Sequence, residues 1–303
     1  MTTVEVFAPA KINLTLHVTG RREDGYHLLD SLVAFADVGD RLRIEDAGVV
    51  AETGRPASLS LSGPECHGVP DGSDNLAARA VDMLANDVAA HIELAKELPS
   101  AAGIGGGSAD AAAAIRGAAH LWNVSAGDFG PNSYLNRVSL GLGADVPMCL
   151  DPRLWRASGI GEQLEAVDIP QLDAVLVNPR VQVPTGKVFA ALAATENAPM
   201  NWPPGTDSVE EFCTWLALMR NDLERPACSV APVIAEVLDE LSQLPEAMLA
   251  RMSGSGATCF AIFKEAKAAT AAANLLTDHR PDWWIRTAKL GDMSEKSKPR
   301  EVG

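Results

Sequence analysis

The stretch Leu98–Ile115, LPSAAGIGGGSADAAAAI, limits the local fold more than any other part of this chain. Glycine stands at 103 and again at 105, 106 and 107, and an alanine-rich run that favours a helix follows. A loop without Cβ atoms lets main-chain N–H groups converge on a ligand. A helix beginning at its end adds unpaired N–H groups and the positive end of the helix dipole. Upstream, HIELAKEL (91–98) alternates as a strand does. Strand, glycine loop and helix in that order predict a cradle for phosphate. Two familiar cradles do not fit. The Walker A pattern needs a lysine after its last glycine, and the one Gly-Lys pair, Gly186-Lys187, runs on into Val188. The G-x-G-x-x-G fingerprint fails at its final position, where Ser108 stands.

The rest of the chain predicts an α+β protein. In VEVFAPAKINLTLHV (4–18), Val4, Val6, Ala8, Ala10, Ile12, Leu14, Leu16 and Val18 share one strand face. Lys11 and Asn13 project from the other, which the pattern alone reads as solvated, and Pro9 predicts an edge, a bulge or a break. Asp24-Gly25 marks a turn. Strands follow to Phe35 and at 41–45 and 58–62, with a helix opened by Ser73-Asp74-Asn75. Helices are expected near 131–140, 208–220, 229–243 and 265–277, and one after 183 capped by Thr185; strands at 173–178 and 283–290, and one entered from a second glycine-rich turn within 250–263, complete the set. Helices and strands do not alternate regularly, which argues for α+β over a doubly wound sheet. The length suggests two domains, divided at 155/156, with 156–290 as the second and the polar 291–303 as a frayed tail.

The 303 residues carry a formal charge of −15, which disfavours nucleic acid and anionic membrane as partners. An anionic substrate then needs a local pocket rich in cations or N–H groups. No apolar run reaches the roughly 18 residues of a membrane span, and Glu5 and Lys11 interrupt the N-terminal apolar pattern, so the expected location is the cytoplasm. The five cysteines lie apart, without C-x-x-C spacing, so no zinc site is expected.

Residues 99–112 read P-x-x-x-G-I-G-G-G-S-x-D-A-A, which resembles the second motif of the GHMP small-molecule kinases. PAKINLTLHVTGRREDGYHLLDSL (9–32), GADVPM (143–148) and MSGSGATCFAIF (252–263) resemble that family's first motif, its catalytic-aspartate segment and its third motif, in order, within 4–290. The DGYH extension of the first motif is similar to the branch acting on a cytidine diphosphate-linked methylerythritol. The resemblance implies an N-terminal nucleotide domain, a C-terminal ferredoxin-like domain and an active site between them. It implies transfer of the ATP γ-phosphate, with Mg2+, to a substrate hydroxyl, in a monomer or weak homodimer.

Carried onto this sequence, the family pattern makes Asp145 the base and Lys11 the cation that stabilises charge on the attacking oxygen. Asn13 is implied as a hydrogen-bonder to substrate. Tyr26 and Phe189 would stack on the cytosine, His27 would bond its edge, and Thr185 would support that pocket. Pro99, Gly103, Gly105, Gly106, Gly107 and Ser108 would hold the phosphates, with Lys96 and Asn75 near the purine and Ser108 facing the metal. The SGSG turn at 253–256 would brace the loop. Met148 departs from the aromatic expected there, a change of packing and not of chemistry. Two alternatives remain open: another GHMP kinase acting on homoserine, mevalonate or a sugar, and a non-catalytic metabolite sensor of the same fold.

Overall fold

The structure is a computed structural model describing residues 2–49, 57–84, 88–124 and 133–302. In chain order the elements are β1 (Thr3–Asn13), β2 (His17–Arg21), β3 (His27–Val49), β4 (Ala57–Ser62), α1 (Leu76–Leu84), β5 (Val88–Ala95), α2 (Gly106–Leu121), α3 (Tyr134–Leu142) and α4 (Val146–Leu150). Then follow β6 (Trp155–Gly159), β7 (Gln163–Ala166), β8 (Leu172–Asn178), α5 (Thr185–Ala190), α6 (Val209–Ala217), α7 (Glu224–Val230) and α8 (Val233–Ser242). The last are β9 (Ala247–Met252), β10 (Cys259–Phe263), α9 (Ala266–His279), β11 (Trp284–Gly291) and β12 (Arg300–Val302). Positions 131 and 132 of the helix expected at 131–140 lie outside the described residues.

Among the described residues the strands form one sheet with the central path β12-β1-β3-β11-β8-β10-β9. β3 is its hub, pairing with β1, β2, β5, β6 and β11 along its length. The runs expected at 27–35 and 41–45 are therefore one strand. Helices α1, α2, α3 and α4 cover one face of β1, β3 and β5. Farther along, Leu172, Ala174 and Leu176 of β8 lie in a core with Phe212 and Leu216 of α6. Val175 and Val177 face the other way, toward Val237 of α8 and Ala272 of α9. A strand covered on both faces reads as a continuous apolar run, which is how LDAVLVN reads.

Pro9 does produce a bulge: the β1–β3 register shifts between Pro9 and Lys11. Its effect is a change of face. Val4, Val6 and Ala8 belong to the core under α2, whereas Ala10, Ile12 and Leu14 belong to the core with α6. Lys11 and Asn13 pair with Phe35 and Val33, which lie under the helices, so the bulge turns both polar side chains toward α2 and away from solvent. Lys11 is 6% exposed and Asn13 5%. Helix α2 lies close to this strand pair because its side chains are small. Every residue from Ala109 to Ala119 is buried, and a Cβ on Gly117 would stand 2.5 Å from Ile44 Cδ1.

The C-terminal segment is not a frayed tail. β12 pairs with β1, Val302 opposite Thr3 and Arg300 opposite Glu5. Met293 and Ser297 are buried, and Arg116 of α2 donates from Nε to the Ser297 carbonyl at 3.1 Å. The open edge of β1 and the buried guanidinium supply partners that a polar sequence without periodicity does not reveal. Thr185 is likewise no helix cap: Pro184 holds the N-cap position of α5 without a side-chain cap, and Thr185 is the first helical residue.

Candidate active site

Gly105, with φ at +66°, is the N-cap of α2. Ala109 N–H gives the first helical bond, to the Gly105 carbonyl at 2.8 Å. Gly106, Gly107 and Ser108 thus form the first turn, whose N–H groups have no acceptor within the helix. The loop before them is clasped from two sides. Lys11 N–H donates to the Ile104 carbonyl at 2.9 Å, and a Cβ at Gly105 would lie 3.3 Å from Lys11 Cβ. The SGSG turn closes the other side as the sequence suggested. Ser253 Oγ donates to the Gly103 carbonyl at 3.2 Å and accepts Asn13 N–H at 3.0 Å. Gly103, at φ +74°, has room for no Cβ, which would meet the Ser253 and Gly256 carbonyls at 2.7 Å.

Asp145 precedes α4 in a turn begun by Gly143, and Pro147 is in the helix's first turn. Its side chain makes no cap bond. Its Oδ2 instead accepts Lys11 Nζ at 2.9 Å. The lysine side chain is 8% exposed and the aspartate 41%, so the carboxylate opens onto a cleft of about 870 Å3. A cation and an accessible carboxylate beside a ring of free N–H groups can hold an anion, align a hydroxyl and take its proton.

Lys11, Asn13, Tyr26, His27, Asp145, Thr185 and Phe189 all line this cleft, together with Gly103 and Gly105. Asn13 Nδ2 donates to Ser31 Oγ at 2.7 Å, while its Oδ1 is buried without a partner. An orphaned buried acceptor in a cleft suits a hydroxyl-bearing ligand. The aromatic set is paired differently from the expectation. His27, not Tyr26, faces Phe189, with ring centroids 4.8 Å apart and planes 20° apart. Tyr26 is 61% exposed at the cleft rim. Burial and then the neighbouring Arg21 hold the His27 pKa below the usual 6.5. Thr185 Oγ1 shares a hydrogen bond with Ser255 Oγ at 2.9 Å, which joins the start of α5 to the third motif.

Lys96 and Asn75 are not at the cleft. Lys96 Nζ donates to Asp40 Oδ2 and, at 2.7 Å, to Asp110 Oδ2, with all three side chains buried. Burial alone would lower the lysine pKa, but Asp110 and Asp40 more than offset this and hold it above its usual range. Burial first, and then Asp40, push the Asp110 carboxyl well above the ordinary carboxylate range. Asp40 Oδ1 accepts Glu97 and Leu98 N–H groups at 2.6 and 2.9 Å. The triad lies beneath Gly106, where a Cβ would be 3.7 Å from Lys96 Nζ. Lys96 therefore pins the loop from below. Asn75 Oδ1 accepts Ala77 N–H at 2.9 Å and its Nδ2 donates to the Pro70 carbonyl at 2.8 Å, which consumes both ends of the amide at the start of α1. Pro99 is buried ahead of the loop.

Sequence reasoning missed Asp40 and gave Asp110 no role. The sequence reads Asp110 as an acid of the first helical turn, which the dipole already explains; α2 in fact begins at Gly106, so Asp110 lies beyond that turn. A signal existed only at Asp40, one of two acids, with Asp37, in the largely apolar run VAFADVGDRLRI.

The GHMP kinases N terminal domain family matches residues 75–151 and the GHMP kinases C terminal family residues 207–280. The 4-diphosphocytidyl-2-C-methyl-D-erythritol kinase of Roseobacter denitrificans is 50% identical over 300 residues, covering 98% of this chain and 97% of that one. The kinase of the same name from Dinoroseobacter shibae is 51% identical over 286 residues, 94% of each chain. A crystal structure of 4-(cytidine 5'-diphospho)-2C-methyl-D-erythritol kinase superposes with a TM-score of 0.72 at 32% identity, covering 95% of this chain and 99% of that one. The mevalonate kinase of L. major, at a TM-score of 0.68 and 15% identity, shares the fold. The α+β architecture expected from the motifs is thus the two-domain GHMP kinase fold. Identity of this extent over almost the whole length is decisive, and the chain belongs to the 4-diphosphocytidyl-2-C-methyl-D-erythritol kinase family of the GHMP kinases.

Proposed function

We propose that this small-molecule kinase transfers the γ-phosphate of ATP to the 2-hydroxyl of 4-diphosphocytidyl-2-C-methyl-D-erythritol, a step of the non-mevalonate route to isoprenoids. The observation that carries the mechanism is the Lys11–Asp145 pair, 2.9 Å apart at the mouth of the glycine loop. The two halves, 1–155 and 156–290, enclose the substrate cleft. Free N–H groups of Gly106, Gly107 and Ser108 bind the phosphates. The substrate hydroxyl lies against Asp145, with Asn13 Oδ1 accepting a further hydroxyl. Its oxygen attacks the γ-phosphorus, the bond to the β-phosphate oxygen breaks, ADP leaves, and Asp145 takes the hydroxyl proton. Lys11 stabilises charge on the attacking oxygen as the proton departs.

The aromatic wall supports a cytidine reading over homoserine or mevalonate. Tyr26, His27 and Phe189 line the same cleft as the Lys11–Asp145 pair, with His27 stacked on Phe189, and a nucleobase stacks on such faces. Because His27 already lies on one face of Phe189, the base packs against the aromatic faces left open, with Tyr26 at the rim. Among the described residues no three His, Cys, Asp or Glu side chains gather as a metal cage. A Mg2+ ion arriving with ATP would be held mainly by phosphate and water oxygens, with the Ser108 hydroxyl as a protein ligand, and would supply charge neutralisation at the transferring phosphoryl group. No described helix is long and apolar enough to cross a membrane.

The test is ADP formation from Mg·ATP and the cytidyl substrate, with Asp145→Asn in parallel. Wild-type turnover that falls by about 10²–10⁴-fold in the variant is the expected result. Turnover untouched by the substitution removes Asp145 as the base. Activity on homoserine or a sugar in its place overturns the substrate.

A further inference from the structure

The hairpin joining β6 and β7 puts an apolar wall beside the base. Its turn residues Ile160 and Gly161 line the same cleft as Asp145. Gly161 comes closest: a Cβ built there would stand 3.8 Å from Asp145 Oδ1 and 3.9 Å from Met148 Cε. Met148 also lines the cleft, one turn along α4 from the base, and so does Ala157 from β6. The turn is held in shape. Ile160 N–H donates to the Glu162 carboxylate at 2.6 Å, Gly161 N–H to the Ser158 carbonyl at 3.1 Å, and Gly159 pairs with Leu29 of β3. Gly161 has φ at +113°, a conformation open to glycine. The polar groups that serve the chemistry, Lys11 and Asn13, come from β1. Where the hairpin nears Asp145, at Gly161, the other side-chain atom within reach is the Met148 methyl.

We infer that Ile160 and Met148, with the space left by the missing Gly161 side chain, seat the methyl branch on the carbon that bears the reacting hydroxyl. The inference rests on the substrate proposed above. In that substrate the hydroxyl is tertiary, and the methyl is two bonds from the attacking oxygen. An oxygen held against Asp145 therefore carries the methyl into the immediate surroundings of the carboxylate. Lys11 and Asn13 cannot receive it without leaving polar groups dry, whereas the hairpin wall can. Filling the seat fixes rotation about the carbinol carbon and so aims the oxygen, which a crowded alcohol needs more than a primary one. Ile160 and Met148 are specificity residues on this account, and the departure at Met148 supplies the flexible end of the wall.

The experiment compares kcat/KM for 4-diphosphocytidyl-2-C-methyl-D-erythritol with that for the same compound lacking the 2-C-methyl group. One methyl in an apolar pocket is worth roughly 10- to 200-fold, so wild type should prefer the methylated compound by about that factor. Ile160→Ser and Met148→Ala should each cut the preference by about fivefold or more. The loss should fall on the methylated substrate alone, with KM for ATP unchanged. Met148 is buried and its truncation also costs core packing, so Ile160, half-buried at the hairpin tip, is the deciding position. A preference that the Ile160 variant leaves intact, or an equal loss on both compounds, overturns the inference while the function stands. Wild-type protein that phosphorylates neither compound refutes the function and the inference with it.

Discussion

Replacing Lys96 by Met separates two roles for this lysine. If it contacted nucleotide, the change would weaken ATP binding and leave the fold alone. The structure predicts the reverse. Lys96 neutralises two carboxylates, Asp40 at 0% and Asp110 at 4% side-chain exposure. Removing one partner of such a buried group costs about 3–5 kcal/mol, because a charge is left uncompensated in a poor solvent. Two features place this case at the lower end. Asp40 keeps the N–H groups of Glu97 and Leu98. Asp110, already raised well above the usual carboxylate range by burial and by Asp40, takes up a proton when the ammonium is gone. A loss of about 3 kcal/mol corresponds to a fall in Tm of roughly 5 °C for a protein of this size. Asp110→Asn leaves a matched Asp40–Lys96 pair and should cost no more than about 1 kcal/mol, the worth of one hydrogen bond. Thermal unfolding followed by circular dichroism, with ATP KM measured well below the transition, provides the check. A Lys96→Met protein with unchanged Tm and an ATP KM raised about tenfold, some 1.4 kcal/mol of lost binding, refutes the pinning role.

Three further outcomes follow from the same geometry. His27, whose pKa burial and then Arg21 hold below the usual 6.5, should place the acid fall of kcat/KM for the cytidyl substrate at lower pH than an ordinary imidazole would; Arg21→Gln should move that fall to higher pH, and an unmoved profile removes the coupling. Gly254 has φ at +56° and a Cβ there would meet the Gly103 carbonyl at 2.8 Å, so Gly254→Ala should cost at least about 1–3 kcal/mol from backbone strain alone and raise KM for ATP, read from urea unfolding and steady-state kinetics. His17 is buried, its Nε2 accepting Arg220 N–H at 3.2 Å, and burial followed by Arg220 lowers its pKa. Below the unfolded value near 6.5 the unfolded chain then binds the extra proton. Its contribution is full above that pH and fades as pH falls toward the folded pKa, so urea unfolding at pH 7 and pH 5 should show a decline that His17→Gln reduces.

The glycine loop was legible because its chemistry is local. A run of glycines ahead of an alanine helix places N–H groups wherever the rest of the chain goes, although α2 begins within the glycines, at Gly106, ahead of the alanine run. Lys11 and Asp145 were legible only through their motifs. Periodicity left Lys11 on a solvated face, and it is the bulge at Pro9 that turns it inward. Pro9 announced that a bulge could form but not which face would result, since that depends on β3 across the ladder. The C-terminal segment failed for a similar reason: its order comes from the edge of β1 and the carbonyl-seeking guanidinium of Arg116, both far away in sequence.

Lys11 and Lys96 show most clearly what residue type leaves unsaid. Each flanks the same loop, and each meets aspartate at hydrogen-bond distance. The aspartate facing Lys11 is 41% exposed, so solvent and an incoming phosphate or hydroxyl can share it. Those facing Lys96 are sealed, and a ligand could reach that ammonium only by stripping two buried carboxylates of their countercharge. The same pair of residue types is reactive on one side of the glycine loop and structural on the other. The difference lies in which carboxylate the sheet and α2 leave open to the cleft. That is set by the packing of small side chains between Gly105 and Gly117, where alanine and glycine bring the helix down over Lys96 while the loop ahead of it leaves Asp145 uncovered.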